Sequence, residues 1–492
     1  MNATGRGTLK KIANFGRNQQ WYSESFRPGS EAELLQIMLQ NPRATIRAIG
    51  SGHSWSDIAA NTDIALDMSA FSSVELVTVE GEQLARVGAG CRLQHLLDRV
   101  HAMSDRTLPT LGAIKKQTIS GVVSTGTHGS GRQSISHFVV AVRMAVYDRA
   151  TGQPAIRDFR EGPELEAARC GLGCAGIILS VDLQTVPKYL VAETIRPRKD
   201  VDEIIATFAE QPLSNFVLSP YGWTFAMFER RPLEMRARSL AEICTARLFR
   251  WYGFLMLDVG FHLGLYAARF LGPFAVKAYL RSAPMALIRN RERIDDSEHV
   301  LTTHHYLFRH EEMEIFVRES DVELAIRFIR AAVEFFAGIE TAFPSEFLPA
   351  IKAAGTERTL REGAGGYTHH YPLFCRRILP DATMISMTAS SNEPMYSISI
   401  FTYDPPRRRE AYYEFCRFLA FSLLRLVNAR LHWGKHFPFQ YRDIVSSYPR
   451  LEEFRTICQS FDPNGNLRNG YSKQVLNLPP GPAISGNAHP IG

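Results

Sequence analysis

The chain has 492 residues, 45% hydrophobic and 22% charged, with 56 Lys+Arg against 50 Asp+Glu and a formal net charge of +6. It is too apolar to be disordered and too long for one core, since domains run to ~100–200 residues, so two or three are expected. Glycine and proline are ordinary and no short period repeats, which excludes collagen-like and solenoid architectures, and +6 spread evenly is too weak a signal for a nucleic-acid binder.

The N-terminus, MNATGRGTLKKIANFGRNQQWY, carries basic residues with no apolar core behind them, so no secretory signal is expected. From about Trp21 to Gln184 helix and strand alternate. An amphipathic helix is predicted over 30–39, strands over 45–49, 64–67 and 84–88, a helix over 93–103, and strands over 139–147 and 177–185. From about Tyr189 to Val427 longer helices stand among antiparallel-looking strands, notably 313–317 and 396–402. A segment rich in His, Trp and Asp follows to about Leu476, and the last residues, LNLPPGPAISGNAHPIG, read as a loose tail. The fold class is α+β, divided at about 1–188, 189–427, 428–476 and 477–492.

Seven cysteines (Cys91, Cys170, Cys174, Cys244, Cys375, Cys416 and Cys458) form no CxxC pair and no cluster at zinc-ligand spacing, which suits a reducing compartment. The pairs His304-His305 and His369-His370 would point to opposite faces of a strand, so no metal is assigned. No run of ~18 uncharged apolar residues exists, and no conventional spanning helix is expected.

Three glycine clusters punctuate the first domain: IGSGHSWSD at 49–57, SGVVSTGTHGSG at 120–131 and CGLGCAG at 170–176. The last contains GxGxxG at Gly171, Gly173 and Gly176, but a helix-like PELEAAR precedes it and the strand IILSVDLQTV follows. A dinucleotide fingerprint needs the reverse order, so a Rossmann site is rejected. The other two offer exposed backbone N–H groups and hydroxyls able to wrap a pyrophosphate. On composition alone they are equally compatible with ordinary turns.

Residue for residue, IRAIGSGHSWSDIA, LPTLGAI, STGTHGSG, GLGCAGII with LQTVP, and HWGKHF resemble the vanillyl-alcohol oxidase (PCMH-type) class of FAD-binding oxidoreductases, within it the sugar-1,4-lactone oxidase and alditol oxidase group. Five matches in the group's order span nearly the whole chain. The resemblance implies a two-subdomain FAD-binding domain over 1–188, a cap with an antiparallel sheet over 189–427, and a segment over 428–476 returning to the flavin. It implies a covalent bond from His53 to the flavin's 8α-methyl group. FAD would be held by Gly50, Ser51, Gly52, His53 and Ser54, by Gly112, by Thr118, Ser120, Gly121, Ser124, Thr125, Gly126, Thr127, His128, Gly129 and Ser130, by Gly173, Gly176 and Ile177, and by His432.

The resemblance makes Lys435, in His432-Trp433-Gly434-Lys435-His436, a charge-stabilising contact to flavin and substrate. The group's Glu-x-Arg pair falls on Phe374 and Arg376, so the arginine is kept and the glutamate lost; a slip of one residue would make Arg377 the active one. The group's substrate-contacting serine falls on Ala113. Two lost hydrogen-bonding groups imply a less polar substrate or a polar face rebuilt from elsewhere. Gly112, where glycine fits oxidases and alanine fits dehydrogenases, implies O2 as acceptor and hydrogen peroxide as product. The activity implied is oxidation of an alcohol carbon of a sugar lactone, polyol or related molecule. The alternatives are a membrane-associated dehydrogenase or epimerase-type enzyme for a lipid-linked or less polar substrate, and an inactive flavin binder.

The charge is not spread evenly. Residues 230–293 hold twelve Lys+Arg against four Asp+Glu, a net of +8, which leaves −2 for the rest of the chain. Inside lies WYGFLMLDVGFHLGLYAARFLGPFAVKAYL, with Asp258, His262 and Arg269 on one narrow helical stripe and Gly272-Pro273 as a break. A helix apolar over most of its surface packs on the cap or a partner, or meets lipid; basic flanks suit anionic headgroups. The placement expected is cytoplasmic, peripheral at the membrane through 230–293.

Overall fold

The computed structural model describes residues 7–282, 288–303 and 308–479. The loose tail expected from 477 onward lies almost wholly outside the described residues, as do His304 and His305.

The chain opens with a four-stranded sheet in the order β1 (Thr8–Ala13), β2 (Gln20–Phe26), β4 (Ile64–Asp67), β3 (Ile46–Ile49), in which β4 runs parallel to both neighbours. Helix α1 (Glu31–Gln40) starts where Ser30 Oγ accepts from the Glu33 N–H at 3.2 Å, and buries Leu34, Ile37 and Met38, the i, i+3, i+4 face the sequence pattern marks. A second, antiparallel sheet has the order β5 (Val74–Val79), β6 (Glu82–Gly88), β10 (Ile177–Gln184), β8 (Val139–Tyr147), β9 (Pro154–Phe159). A two-stranded ribbon joins β7 (Arg106–Thr107) to β11 (Val186–Pro187), and helices α2 (Leu93–Met103), α3 (Ile119–Ser124) and α4 (Gly162–Ala168) lie among these strands. The GxGxxG decoy sits between α4 and β10, helix before strand, as its flanks predict.

The rest of the chain builds one eight-stranded sheet in the order β15 (Arg289–Asp296), β12 (Tyr189–Arg198), β14 (Thr224–Glu234), β13 (Asn215–Ser219), β17 (Leu373–Ile378), β18 (Met395–Thr402), β16 (Glu311–Arg318), β19 (Arg430–Leu431). Its register puts Phe374, Ser399 and Glu314 in one lateral row, and Arg376, Asn215, Phe228 and Ile195 in the next. Side chains alternate faces along a strand, so both rows share one face. Met313, Ile315 and Val317, all 0% exposed, belong to the opposite face, within the core cluster that also takes helices at 322–336 and 410–427.

The basic insertion roofs the sheet. Ser239 and Glu242 form a capping box for a helix that runs unbroken from Leu240 to Leu271, with π-type bonding over Gly253–Gly260. Gly272, at φ 103°, ends it, and a short helix, Pro273–Ser282, follows. The predicted polar stripe turns inward: Asp258 and His262 line a cavity under the roof, and Arg269 pairs with Asp404. The rod is long and apolar enough to cross a bilayer by length and composition, which corrects the expectation from uncharged runs alone; few of its charges interrupt an otherwise apolar helix.

Candidate active site

A cavity of ≈ 410 Å³ lies where the first two sheets meet. It is lined by Gly50, Ser51, Gly52, His53 and Ser54, by Thr118, Ser120, Gly121, Ser124 and Thr125, and by Gly173, Gly176 and Ile177. The first two loops approach so closely that a Cβ on Gly50 would lie 2.3 Å from Thr118 Oγ1, so only glycine fits. The third loop is held by Arg47, buried on β3, which donates to the carbonyls of Leu172 (2.7 Å), Gly173 (2.8 Å) and Leu467 (2.9 Å). That last bond brings the C-terminal segment onto the cradle, as does Asn469, which donates to the carbonyls of Asp57, Ile58 and Ala60.

Three buried polar atoms of this lining, Trp21 Nε1, His53 Nδ1 and Thr118 Oγ1, have no hydrogen-bond partner in the protein. The imidazole of His53 stacks on Phe15 at 5.3 Å. Burial, with help from the nearby cations Lys435, Lys116 and Arg92, pushes its pKa down to about 4, so it is neutral and nucleophilic near pH 7.

A larger cavity, of ≈ 580 Å³, lies between the eight-stranded sheet and the roof. Gly129, Ser130, Ala113 and Arg376 line it at the side of the cradle loops. Its wall is aromatic: Phe374 stacks on Tyr371 at 6.0 Å and meets Phe401 edge-on at 5.7 Å, and Phe254, Phe261 and Phe308 close it from the roof side. Arg376, not Arg377, faces this space. Arg377 is instead bonded to Glu319 at 2.6 Å.

Beside this end the HWGKH turn is sewn to the edge of β16. His432 N–H donates to Glu314 O at 3.0 Å, His436 N–H donates to Glu312 O at 2.9 Å, and fully buried Trp433 donates through Nε1 to Ile385 O at 2.6 Å. Lys435 thereby forms an ion pair with buried Glu312 and lies 4.5 Å over the Trp55 ring. Glu314, 1% exposed, meets His128 Nε2 at 3.3 Å and Arg376 at 4.0 Å. Burial alone would raise its pKa, but the charge and hydrogen bond of His128 hold it well below the usual carboxylate range. The ring of His432 lies 5.8 Å from that of His128, and burial pushes its pKa down to about 3.

Residues 181–475 match the family described as D-arabinono-1,4-lactone oxidase, more than half of the chain, and residues 25–153 match an FAD binding domain. The chain belongs to the D-arabinono-1,4-lactone oxidase family. A long-chain alcohol oxidase from an uncultured marine euryarchaeote is 38% identical over 94% of this chain and 96% of its own length. L-gulonolactone oxidase from Bos taurus is 25% identical over 95% of this chain and 98% of its own. Among solved structures, cholesterol oxidase from B. sterolicum superposes with a TM-score of 0.68 at 13% identity, covering 96% of this chain and 97% of that one, a likeness of fold.

FAD is therefore the cofactor, and the smaller cavity suits it. Orphaned polar atoms on three of its walls call for a polar ligand, and the glycine approach at Gly50 leaves backbone exposed to it. The family's loops are not all brought to that cavity. Gly129 and Ser130 line the larger one instead, because the loop crosses under β13, where Ser130 Oγ donates to Ser214 O. Gly126 packs back against Met387, Ser386 and Cys170, and Thr127, His128, Gly112 and His432 fill the partition around Glu314 and the HWGKH turn, lining neither cavity. His369 and His370 lie in a loop before β17, not on a strand, and burial pushes both down to about 3.

Sequence reading missed Glu314, Glu312, Arg47 and Trp21. Glu314 has no local motif. It stands in the lateral row of Phe374, one strand beyond Ser399, and only strand register brings it there. Among the described residues His128, Glu314 and His432 also form a compact trio of ligand type that the histidine pairs did not foreshadow.

Proposed function

We propose that the protein is an FAD-dependent oxidase that converts an alcohol with an extended apolar body to the carbonyl compound, with O2 as acceptor and hydrogen peroxide as the second product. The observation that carries this is the ≈ 580 Å³ cavity, aromatic over much of its wall, with Arg376 at the end nearest the cradle loops. The similarity to a long-chain alcohol oxidase over nearly the full length supports an apolar alcohol over the polar sugar lactone or polyol first expected. Phe374 and Ala113, where the group has polar residues, point the same way.

FAD held by the Gly50–Ser54, Thr118–Thr125 and Gly173–Ile177 loops would supply the hydride acceptor that protein side chains lack. His53, neutral and with a free ring nitrogen, would tether it covalently at the 8α-methyl group. Lys435 and Arg376 hold positive charge where negative charge accumulates during oxidation, and buried Glu314, beside His128 behind the cavity wall, positions Arg376. Gly112 leaves no Cβ in the partition between the cavities, which suits access of O2.

The roof gives the cytoplasmic-face, peripheral membrane reading its support. Eleven exposed large apolar side chains lie between Leu240 and Phe274, among them Leu248, Trp251, Leu255, Leu263, Phe270 and Phe274, with exposed Arg247 and Arg281 at the margins.

Anaerobic mixing of the yellow holoenzyme with hexadecanol, then admission of air with peroxide detection, tests the reading. Bleaching followed by peroxide is the expected result. Bleaching without peroxide would indicate a dehydrogenase, and no bleaching by hexadecanol, lactones or polyols an inert binder.

A further inference from the structure

The larger cavity is apolar only in part. Its lining holds six arginines, Arg132, Arg230, Arg250, Arg289, Arg293 and Arg376, against two carboxylates, Glu193 and Asp258. Some of that excess is met from behind: buried Asp295 takes Arg238 at 2.6 Å and Arg250 at 3.0 Å, with Arg293 at 3.5 Å. What remains is a guanidinium strip on β14 and β15, around Glu193 of β12. Arg230 Nε and Arg289 Nη2 each lie 2.8 Å from one oxygen of Glu193, and Arg293 Nη1 is 3.7 Å away. Arg230 Nη1 donates to Asn215 Oδ1 at 2.6 Å, a neutral partner that adds no counter-charge.

Arg230 and Arg289 thus share one carboxylate, with Arg293 reaching both it and Asp295, where Glu193 is 3% exposed. The Nε atoms of Arg289, Arg293 and Arg132 are buried and without a hydrogen-bond partner. Arginine does not shed its proton to escape such a setting, and burying a cation without full compensation costs several kcal/mol. The deficit is one of negative charge and of acceptors together, and a single bound anion supplies both. A guanidinium fork matches carboxylate and phosphate geometry alike.

We propose that this strip is the seat for an anionic group, a carboxylate or a phosphate monoester, at the far end of the alcohol substrate. The proposal rests on the reading of this cavity as the alcohol site. The strip begins at Arg230 on β14, two strands from β17, which carries Arg376, and ends on β15, four strands away, a span of about 10–19 Å at ~4.8 Å per strand. Phe228, Ile195 and Val217, on the strands between, line the same cavity. The ligand that complements it has a hydroxyl at one end, an apolar chain of that length, and an anion at the other: an ω-hydroxy fatty acid or an ω-hydroxyalkyl phosphate.

Calorimetric titration of the full-length, FAD-loaded protein with palmitate, hexadecyl phosphate and methyl palmitate reads the seat without turnover, since none carries a hydroxyl to oxidise. Saturable binding of an anion, about tenfold or more tighter than methyl palmitate, is expected; whichever anion binds tighter identifies the head group. Arg289→Gln is expected to weaken anion binding about tenfold or more, and Glu193→Gln, which withdraws the resident carboxylate, to tighten it. Equal affinity for palmitate, hexadecyl phosphate and methyl palmitate overturns the proposal, as does anion affinity unmoved by Arg289→Gln in protein that melts like the wild type. If Arg289→Gln does not fold, the ester comparison on wild-type protein and the direction of the Glu193→Gln effect decide. Failure of the parent reading looks different: hexadecanol would neither bleach the flavin nor compete with a palmitate that still binds.

Discussion

Replacing Lys435 by methionine separates a charge that serves chemistry from one that serves folding. Lys435 is paired with Glu312, whose side chain is only 6% exposed, and lies 4.5 Å over the Trp55 ring. Removing the cation leaves a buried carboxylate without its partner, a loss of about 3–5 kcal/mol of stability. If Lys435 also stabilises negative charge during oxidation, the rate of anaerobic flavin bleaching falls about 10²–10³-fold, the scale on which a single preorganised electrostatic contact acts. The double variant Lys435→Met/Glu312→Gln removes the orphaned charge and is expected to recover most of the lost melting temperature while leaving bleaching slow. Stopped-flow absorbance under nitrogen gives the rate, and scanning calorimetry the stability. A double variant that regains both stability and bleaching rate would show Lys435 to be a structural partner of Glu312 alone, and the assigned role would fall.

For His53→Ala, acid precipitation is expected to release the flavin to the supernatant, whereas wild-type flavin stays in the pellet; release from wild-type protein refutes the covalent tether. Gly112→Ala brings a Cβ to 2.7 Å from Thr127 Cγ2, and should slow reoxidation of the reduced enzyme by air about tenfold or more, more than it slows reduction; equal slowing of both half-reactions would count against a role in oxygen access. Burial pushes His310, His369, His370 and His432 down to about 3 and His436 to about 4, while unfolded histidine takes up a proton near 6.5. Below pH ~6.5 the unfolded state therefore binds more protons, and stability drops by about 1.4 kcal/mol per pH unit for each such group until their folded values are reached; a melting temperature flat from pH 7 to 5 would contradict these burials. Leu255→Glu/Phe270→Glu, on the exposed face of the roof, should abolish co-sedimentation with anionic vesicles, and an unchanged bound fraction would sink the lipid reading.

Much of the architecture is legible in local pattern. The helix over 93–103 and the strand over 139–147 appear as predicted, and α1 is displaced by one residue: each helix buries a single periodic face, and the strand is a continuous apolar run buried on both faces. The edge strands β1, β5 and β9 were not foreseen. They are mostly exposed, so their apolar alternation is weak and only pairing to a neighbour defines them. The cradle loops were legible for a different reason: Gly, Ser and Thr recur where a loop comes close to its neighbour, as Gly50 does to the Thr118 side chain.

By itself the sequence determined the family, the glycine loops and the place of the basic, apolar insertion, since all three are contiguous stretches whose composition carries the physics. Only the tertiary structure decided which arginine faces the larger cavity, that Glu314 stands in the lateral row of Phe374, and that the insertion's polar stripe turns inward over an aromatic, arginine-floored space. Those facts depend on strand register and on the packing of a helix across it. Glu314 and Ser399 share a lateral row as neighbours at ~5 Å yet lie 85 positions apart in the chain, a distance across which no local pattern carries information.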